Sequence, residues 1–448
     1  MSTANIREED LRKLRVNKNR LMGELHRTCS WGTGKRWGSE STETGMSRLS
    51  LSDADKQARD WFVRETTALG CTVTVDAMGN IFAVRPGRRS QEPPICAGSH
   101  LDTQPNGGRY DGILGVHAGV EMLRVLNDHD VETEHPIGVV NWTNEEGARF
   151  PISMVSSGVW AGEIPLERAH ALQEVGGGQA TMESELRRIG YLGDTPATYR
   201  SVPLAAHFEL HIEQGPILET ERKKIGVVQG VQAYRWYTIT VTGRDGHTGT
   251  TPFASRADAM LLAARLIAHS HTLATQHPSA LASTGIINAL PGSVNTIPGT
   301  VVFTLDVRAP KDSTVEALEA ALKRDFASIA ASSSSSSAAA PLTVDWRTDT
   351  VSPAVHFHPD CIAAVRSAAA RVTPGGSEGL VRDLVSGAGH DSVYTSRRCP
   401  TAMIFVPSRH GVSHNPEEYT SPEDCAIGAE VLMHSVLGYD RMKAGVVG

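Results

Sequence analysis

The chain reads as an α/β protein: a mixed-sheet domain interrupted by an inserted two-layer domain of β-α-β-β-α-β order. Three observations predict this. Short apolar runs alternate with amphipathic stretches from about residue 50 to residue 230. Near Val231 the pattern changes to four strands and two helices in the split βαβ order. Strand and helix then alternate again after about Thr350. At 448 residues the chain is too long for one ordinary core, so two domains are expected, 1–230 with 351–448 and 231–350 between them.

Composition narrows the class. Hydrophobic residues make up 40% and charged residues 21%, the balance of a soluble globular protein. A net charge of −7 argues against nucleic-acid or anionic-membrane partners, which want a basic face. No run approaches the ~18 apolar residues that span a bilayer. The N-terminal MSTANIREEDLRKLR has no apolar core, so no secretory leader is expected. Six cysteines lie scattered without CxxC pairing, which predicts buried free thiols and a cytoplasmic location.

Each element has a local reason. Ile6, Leu11, Leu14, Leu21 and Leu25 recur at helical spacing, predicting a helix over 5–28. Ser52 and Asp53 cap a second helix that Gly70 stops. Met78-Gly79-Asn80 turns a hairpin, and strands lead into His100 and into Asn144-Glu145-Glu146-Gly147, with a helix from Gly112 to about Leu126 between them. Residues 154–200 predict short helices and loops. In Ala206–Gly215 the apolar Phe208, Leu210 and Ile212 alternate with His207, Glu209, His211 and Glu213, as a strand requires. The insertion predicts strands in RWYTITVTG, ASTGIINAL, TVVFTLDVR and LTVDWRTD, with helices over 252–274 and 313–330. Residues 331–340, ASSSSSSAAA, read as a flexible connector. A helix in CIAAVRSAAARV, a strand in TAMIFVPS and a helix from Pro422 to about Leu437 complete the first domain.

Chemistry concentrates at the strand exits. GSHLDTQPNGGRYDG (Gly98–Gly112) brings His100, Asp102 and Asp111, and NWTNEEG (Asn141–Gly147) brings Glu145 and Glu146. Ligands gather at the carboxyl edge of open α/β sheets, and imidazole with carboxylates suits a divalent metal. Gly107, Gly108 and Gly112 permit the tight turn that returns Asp111 towards His100. His211 ends its strand beside a Gln-Gly-Pro turn, and His414 follows the strand TAMIFVPS, while SGAGHDS and SRHGVSHNPEE also offer His390 and His410. Together these read as a two-metal hydrolase site. In the insertion, His247 lies between Gly246 and Gly249, and Asn295 lies between two proline-glycine turns. Arg308 ends an apolar strand, where it either caps the surface or grips a substrate carboxylate.

The ordered motifs GSHLDTQP, YDGILGV, NEEGARF, HFELHIEQGPILE, GHTGTTP, VNTIPG, FTLDVR, SGAGHDS and PSRHGVSHNPEEYTS resemble the di-zinc N-carbamoyl amidohydrolases. These belong to the aminoacylase/carboxypeptidase-type metallohydrolase superfamily, and the likeness is greatest to fungal-type β-ureidopropionase. It extends from about Trp37 to Asp440. The resemblance implies a di-metal catalytic domain interrupted by a dimerisation and lid domain. It implies His100, Asp111, Glu146, His211 and His414 as ligands of two divalent ions, most simply Zn²⁺ with Mn²⁺, Co²⁺ or Ni²⁺ accepted, and Asp111 as the bridge. Asp102 would orient His100, and Glu145 would be the general base. Gln214, His247, Asn295 and Arg308 would hold the substrate, His247 reaching the neighbouring subunit of a homodimer. Thr248 and Phe253 depart from the residues common in the family and bear only on the loop around His247. The activity implied is hydrolysis of N-carbamoyl-β-alanine to β-alanine, ammonia and carbon dioxide. Alternatives are N-carbamoyl-L-α-amino acids or allantoate, and, from a different class, a catalytically inactive dimeric binding protein.

Overall fold

The computed structural model describes residues 13–333, 340–373 and 378–445. The chain forms two compact units, one of Met1–Gly230 with His356–Gly448 and one of Val231–Val355.

The first unit is built on a nine-stranded mixed sheet. Four parallel strands form its centre, in the order β4 (Thr401–Val406), β3 (Ala206–Ile212), β1 (Ile95–His100) and β2 (Ile137–Trp142). All four are buried on both faces, as parallel strands covered by helices must be. Antiparallel strands flank this centre, Ile225–Val231 beside β4 and Ile81–Arg85 beside β2. The hairpin Thr72–Val75 to Ile81–Arg85 turns where Asp76 accepts the N–H groups of Met78 and Asn80.

Register sets the functional edge. His100 pairs with Trp142, and Val406 pairs with Ile212, so the four strands end together. From β1 the chain passes through helix α1 (Ile113–Asp128) to β2, then returns to the other side of β1 as β3. The crevice between β1 and β3 is therefore a topological switch point, where ligands of open α/β sheets bind. Helix α1 and the C-terminal helix α2 (Pro422–Lys443) pack on these strands, and their apolar faces fill a core shared with Phe208, Leu210 and Ile404.

The second unit has its own core. Its sheet runs Leu281–Ser283, Thr300–Ala309, Ala233–Thr242, Thr343–Ser352, all antiparallel, with Ile287–Leu290 also paired to Thr300–Ala309. Val301, Phe303, Leu305 and Val307 alternate inward and meet Leu262 and Leu266 of helix Ala259–Thr275 and Leu318, Leu322 and Phe326 of helix Asp312–Ser333.

Several boundaries differ from expectation. The first described helix begins at Lys18, where the Asn17 side chain accepts the N–H of Arg20, so 13–17 are not helical; residues 5–12 lie outside the described residues. The expected strand ASTGIINAL breaks into two pieces around Gly285. Helix Asp312–Ser333 takes up the first three residues of the expected connector, whose residues 334–339 lie outside the described residues.

Candidate metal centre

Four side chains, each from a different strand end or the loop after it, gather around one carboxylate, Asp111. His211 Nε2 lies 3.0 Å and His100 Nε2 3.5 Å from Asp111 Oδ1. His414 Nε2 lies 3.4 Å from the other oxygen, Oδ2, and 3.3 Å from Glu146 Oε2. The two oxygens of Asp111 thus face two ligand groups: an inner one with His100 and His211, an outer one with Glu146 and His414. A carboxylate so placed can bridge two cations.

The inner imidazoles are pinned by the backbone. His100 Nδ1 lies 2.9 Å from the main-chain carbonyl of Asp102, and His211 Nδ1 lies 2.8 Å from that of Ile212. Carbonyls only accept, so both Nδ1 atoms carry a proton and both Nε2 atoms, facing Asp111, are left for a second proton or a cation. His100 Nε2 is buried without a hydrogen-bond partner. A ring nitrogen aimed at carboxylate oxygens in a buried site calls for a proton or a cation between them, and imidazole with carboxylate is a donor set that zinc and its neighbours accept. The residues fit the group.

Backbone and packing hold this arrangement. Gly112 adopts φ +65°, and a Cβ there would lie 2.3 Å from the His100 ring, so the turn into α1 requires glycine. Asn144, Gln214 and His414 all take left-handed backbone angles beside the ligands, strain of the kind that collects at functional sites.

Electrostatics point the same way. Burial alone would raise Asp111, yet His211 and the contacts from His100 and His414 hold it well below the usual carboxylate range. Burial would lower His100, but Glu145, Asp111 and Asp102 lift it well above its ordinary value. His414 is raised to about 9, chiefly by its contact with Asp111. Burial and the Asp111 charge push Glu146 up to about 7. Glu145 stands well above the carboxylate range, from burial and then from the charges of Asp391, Glu146 and Asp111, against the pull of His100. The centre is over-supplied with negative charge, which protons or metal ions must balance.

The other predicted residues divide. Glu145 Oε2 lies 3.5 Å from His100 Nε2, at the centre. Asp102 is at the centre in a different role: its carboxylate is 4.0 Å from His100 Nδ1 but accepts the N–H groups of Glu145 and Glu146, each at 3.3 Å. It orients the acid pair, while its own carbonyl orients the imidazole. Gln214 donates through Nε2 to Asp111 Oδ2 at 2.7 Å. In the second unit, a short ladder pairs His247 with Thr296 and brings Asn295 alongside, its carbonyl accepting the N–H of Thr248. Arg308 is elsewhere in that unit, paired through Nη2 with Asp306 at 2.7 Å and stacked over Tyr234.

Behind the candidate ligands lies a layer of which sequence reasoning singled out only His390. Glu209 accepts hydrogen bonds from Ser99 and Ser392, Asp391 accepts one from Ser157, and the His390 ring meets His211 edge-on at 4.5 Å. Glu418 was also missed. The signal for Glu209 was present, since it shares the polar face of its strand with His211. His410 is exposed and away from the ligands, its N–H given to Glu219.

An acid beside a cluster able to hold two cations, at the carboxyl edge of a mixed sheet, defines a hydrolase of the metal-assisted class. The chain belongs to peptidase family M20/M25/M40, whose signature matches residues 96–438, and within it to the hydantoinase/carbamoylase amidases. It is 41% identical over 426 residues to an N-carbamoyl-L-amino-acid amidohydrolase of Rhizobium meliloti, covering 94% of this chain and 96% of that protein. A ureidoglycolate hydrolase of Arabidopsis thaliana is 31% identical, with 88% and 82% covered. The crystal structure of a hydantoinase/carbamoylase family amidase from Burkholderia multivorans superposes with a TM-score of 0.85 at 46% identity, covering 95% and 98%. The protein is an enzyme that hydrolyses carbon–nitrogen bonds in linear amides.

Proposed function

We propose that this enzyme hydrolyses the carbamoyl C–N bond of N-carbamoyl-L-α-amino acids, releasing the amino acid, ammonia and carbon dioxide. The motifs alone favoured N-carbamoyl-β-alanine; the relatives named for N-carbamoyl-L-amino acids move the reading to the α-substituted substrate. The observation that carries the chemistry is Asp111 presenting one oxygen to each of two ligand groups, with Glu145 beside them.

His100, His211 and Asp111 would hold one divalent ion and Glu146, His414 and Asp111 a second, zinc being the simplest choice. Such ions, when bound, lower the pKa of water and polarise a carbonyl. Glu145 takes the proton of the attacking water and delivers it to the leaving nitrogen; burial and the neighbouring acids strengthen its hold on that proton. Asp102 holds Glu145 and Glu146 by their backbones, so base and ligand keep a fixed offset. Gln214 steadies Asp111 through its Nε2–H, and its Oε1 is buried and unpartnered, free to receive a donor on the substrate amide.

We assign His247, Asn295 and Arg308 to the substrate and read the enzyme as a homodimer formed through the insertion. Two observations support this. His247 and Asn295 flank the Thr300 end of the long strand, whereas Arg308 lies near its other end, about 25 Å away at ~3.3 Å per residue. One small substrate cannot meet both clusters of the same copy. The two outer strand segments of that sheet, Leu281–Ser283 and Ile287–Leu290, also expose Leu281, Ile287 and Leu290, an apolar edge of the kind that pairs with another chain. Six buried, unpaired thiols fit a reducing cytoplasm.

The test is ammonia release after reconstitution with Zn²⁺, Mn²⁺ or Co²⁺, using N-carbamoyl-L-methionine, N-carbamoyl-β-alanine, allantoate and ureidoglycolate. The highest kcat/KM is expected on N-carbamoyl-L-methionine. A higher value on N-carbamoyl-β-alanine would restore the β-ureido reading, and no release from any would remove the carbamoyl substrate class.

A further inference from the structure

Glu418 belongs to neither ligand group, yet it touches two of the three loops that build the outer one, those carrying Asp111 and His414. Its Oε1 accepts the backbone N–H of Tyr110 and of Asp111, each at 3.0 Å. Its Oε2 lies 3.0 Å from Ser413 Oγ, and that hydroxyl lies 3.0 Å from Asp111 Oδ2. The carboxylate is buried, and a Cβ on Gly108 would stand 2.2 Å from its Oε1, so the DG loop leaves position 108 bare to admit it.

The topology explains the need. Asp111 follows β1 and His414 follows β4, and these strands are not neighbours, because β3 lies between them. No ladder hydrogen bond therefore sets one loop against the other. Gln214, arriving from the end of β3, reaches Asp111 and Ser413 at 2.7 and 3.1 Å and adds one side-chain link. Glu418 alone among these grips the Asp111 backbone and the residue before His414 at once.

We propose that Glu418 is the positioning residue of the outer metal half-site, fixing the bridging carboxylate of Asp111 in register with the loop that presents His414. The proposal rests on the two-ion reading above. It assigns Glu418 an acceptor's role: two N–H groups and one hydroxyl must be satisfied, and a neutral amide can meet that demand. An amide oxygen accepts both N–H groups, and its NH₂ donates to Ser413 Oγ, which still donates to Asp111.

The experiment is a Zn²⁺ titration of the metal-stripped full-length enzyme against a chelating indicator, with melting temperatures of the stripped proteins recorded in parallel. The unsubstituted enzyme should bind two ions in a tighter and a weaker class. Glu418→Ala should weaken the weaker class ~10–100-fold and leave the tighter one unchanged, and Glu418→Gln should restore it. Unchanged binding in Glu418→Ala would overturn the proposal. So would equal weakening of both classes, which marks general loosening, or a Gln variant no better than Ala. Should Glu418→Ala fail to fold, Ser413→Ala removes the Oε2 arm together with the hydroxyl's contacts to Asp111 and Gln214 and should weaken the same class; no change there would overturn the proposal equally. Fewer than two ions in the unsubstituted enzyme would instead defeat the two-ion reading, before any variant is compared.

Discussion

The inner and outer halves of the centre share Asp111 and little else. His100 and His211 close adjacent strands, are each 1% exposed, and are each locked by a main-chain carbonyl. His414 sits on a loop past β4 with half its side chain exposed and its backbone at φ 53°. Its carboxylate partner Glu146 is held by Gln104, through backbone N–H and Nε2–H, rather than by a strand. The inner half is organised before any ion arrives, whereas the outer half depends on side chains reaching across loops. Preorganised donors bind with less ordering cost, so the inner ion should be the tighter one and the outer ion the one that exchanges.

The largest effect is expected where the inner half meets the reaction. Glu145→Gln should lower kcat by ~10²–10⁴ with both ions retained; metal analysis beside an ammonia assay reads this, and turnover within tenfold of normal would take the proton away from Glu145. Next, His211→Ala should abolish the tight class of zinc binding, by at least ~100-fold, whereas His414→Ala should remove only the weak class. Equal losses in the two variants would break the distinction between the halves.

Asp102→Asn sharpens the comparison. An amide can accept only one of the Glu145 and Glu146 N–H groups, so kcat should fall ~10–100-fold. Tight zinc binding should persist, because the Asp102 carbonyl still holds His100. Loss of the tight ion would mean that the carboxylate orients the imidazole after all. The mildest effect is pH dependence. His414 is raised to about 9 by Asp111, so it is protonated below that pH and the outer ion must displace the proton. Outer-ion affinity should therefore rise about tenfold per pH unit from 7 towards 9 and level off above it. Calorimetry in buffers of different ionisation enthalpy would count the released proton, and a flat profile would place His414 outside the coordination.

What the sequence displayed was whatever the backbone period encodes. An apolar run ending in His100, or alternation carrying His211 to the end of β3, follows from strand geometry and a two-residue period, so both were readable. Long-range partners were not. Glu418 meets Tyr110 and Asp111 across three hundred residues, and no local pattern specifies that contact. Asp102 was expected to orient His100 through its carboxylate, yet its carbonyl lies nearer the ring, at 2.9 Å against 4.0 Å, because spacing places a residue without saying which of the two faces the imidazole. Arg308 showed a charge at a strand end, while its pairing with Asp306, two residues back on the same face, went unread. Residues 13–17 fall outside the helix because the Asn17 side chain caps it at Lys18, a break that the hydrophobic spacing does not mark.

Anomalous diffraction at the zinc edge, on crystals of the reconstituted enzyme, addresses the shared carboxylate directly. Two peaks are expected, one among His100, His211 and Asp111 Oδ1, the other among Glu146, His414 and Asp111 Oδ2, with the first at higher occupancy after brief chelation. A single peak, or a pair that does not share Asp111, would contradict the account.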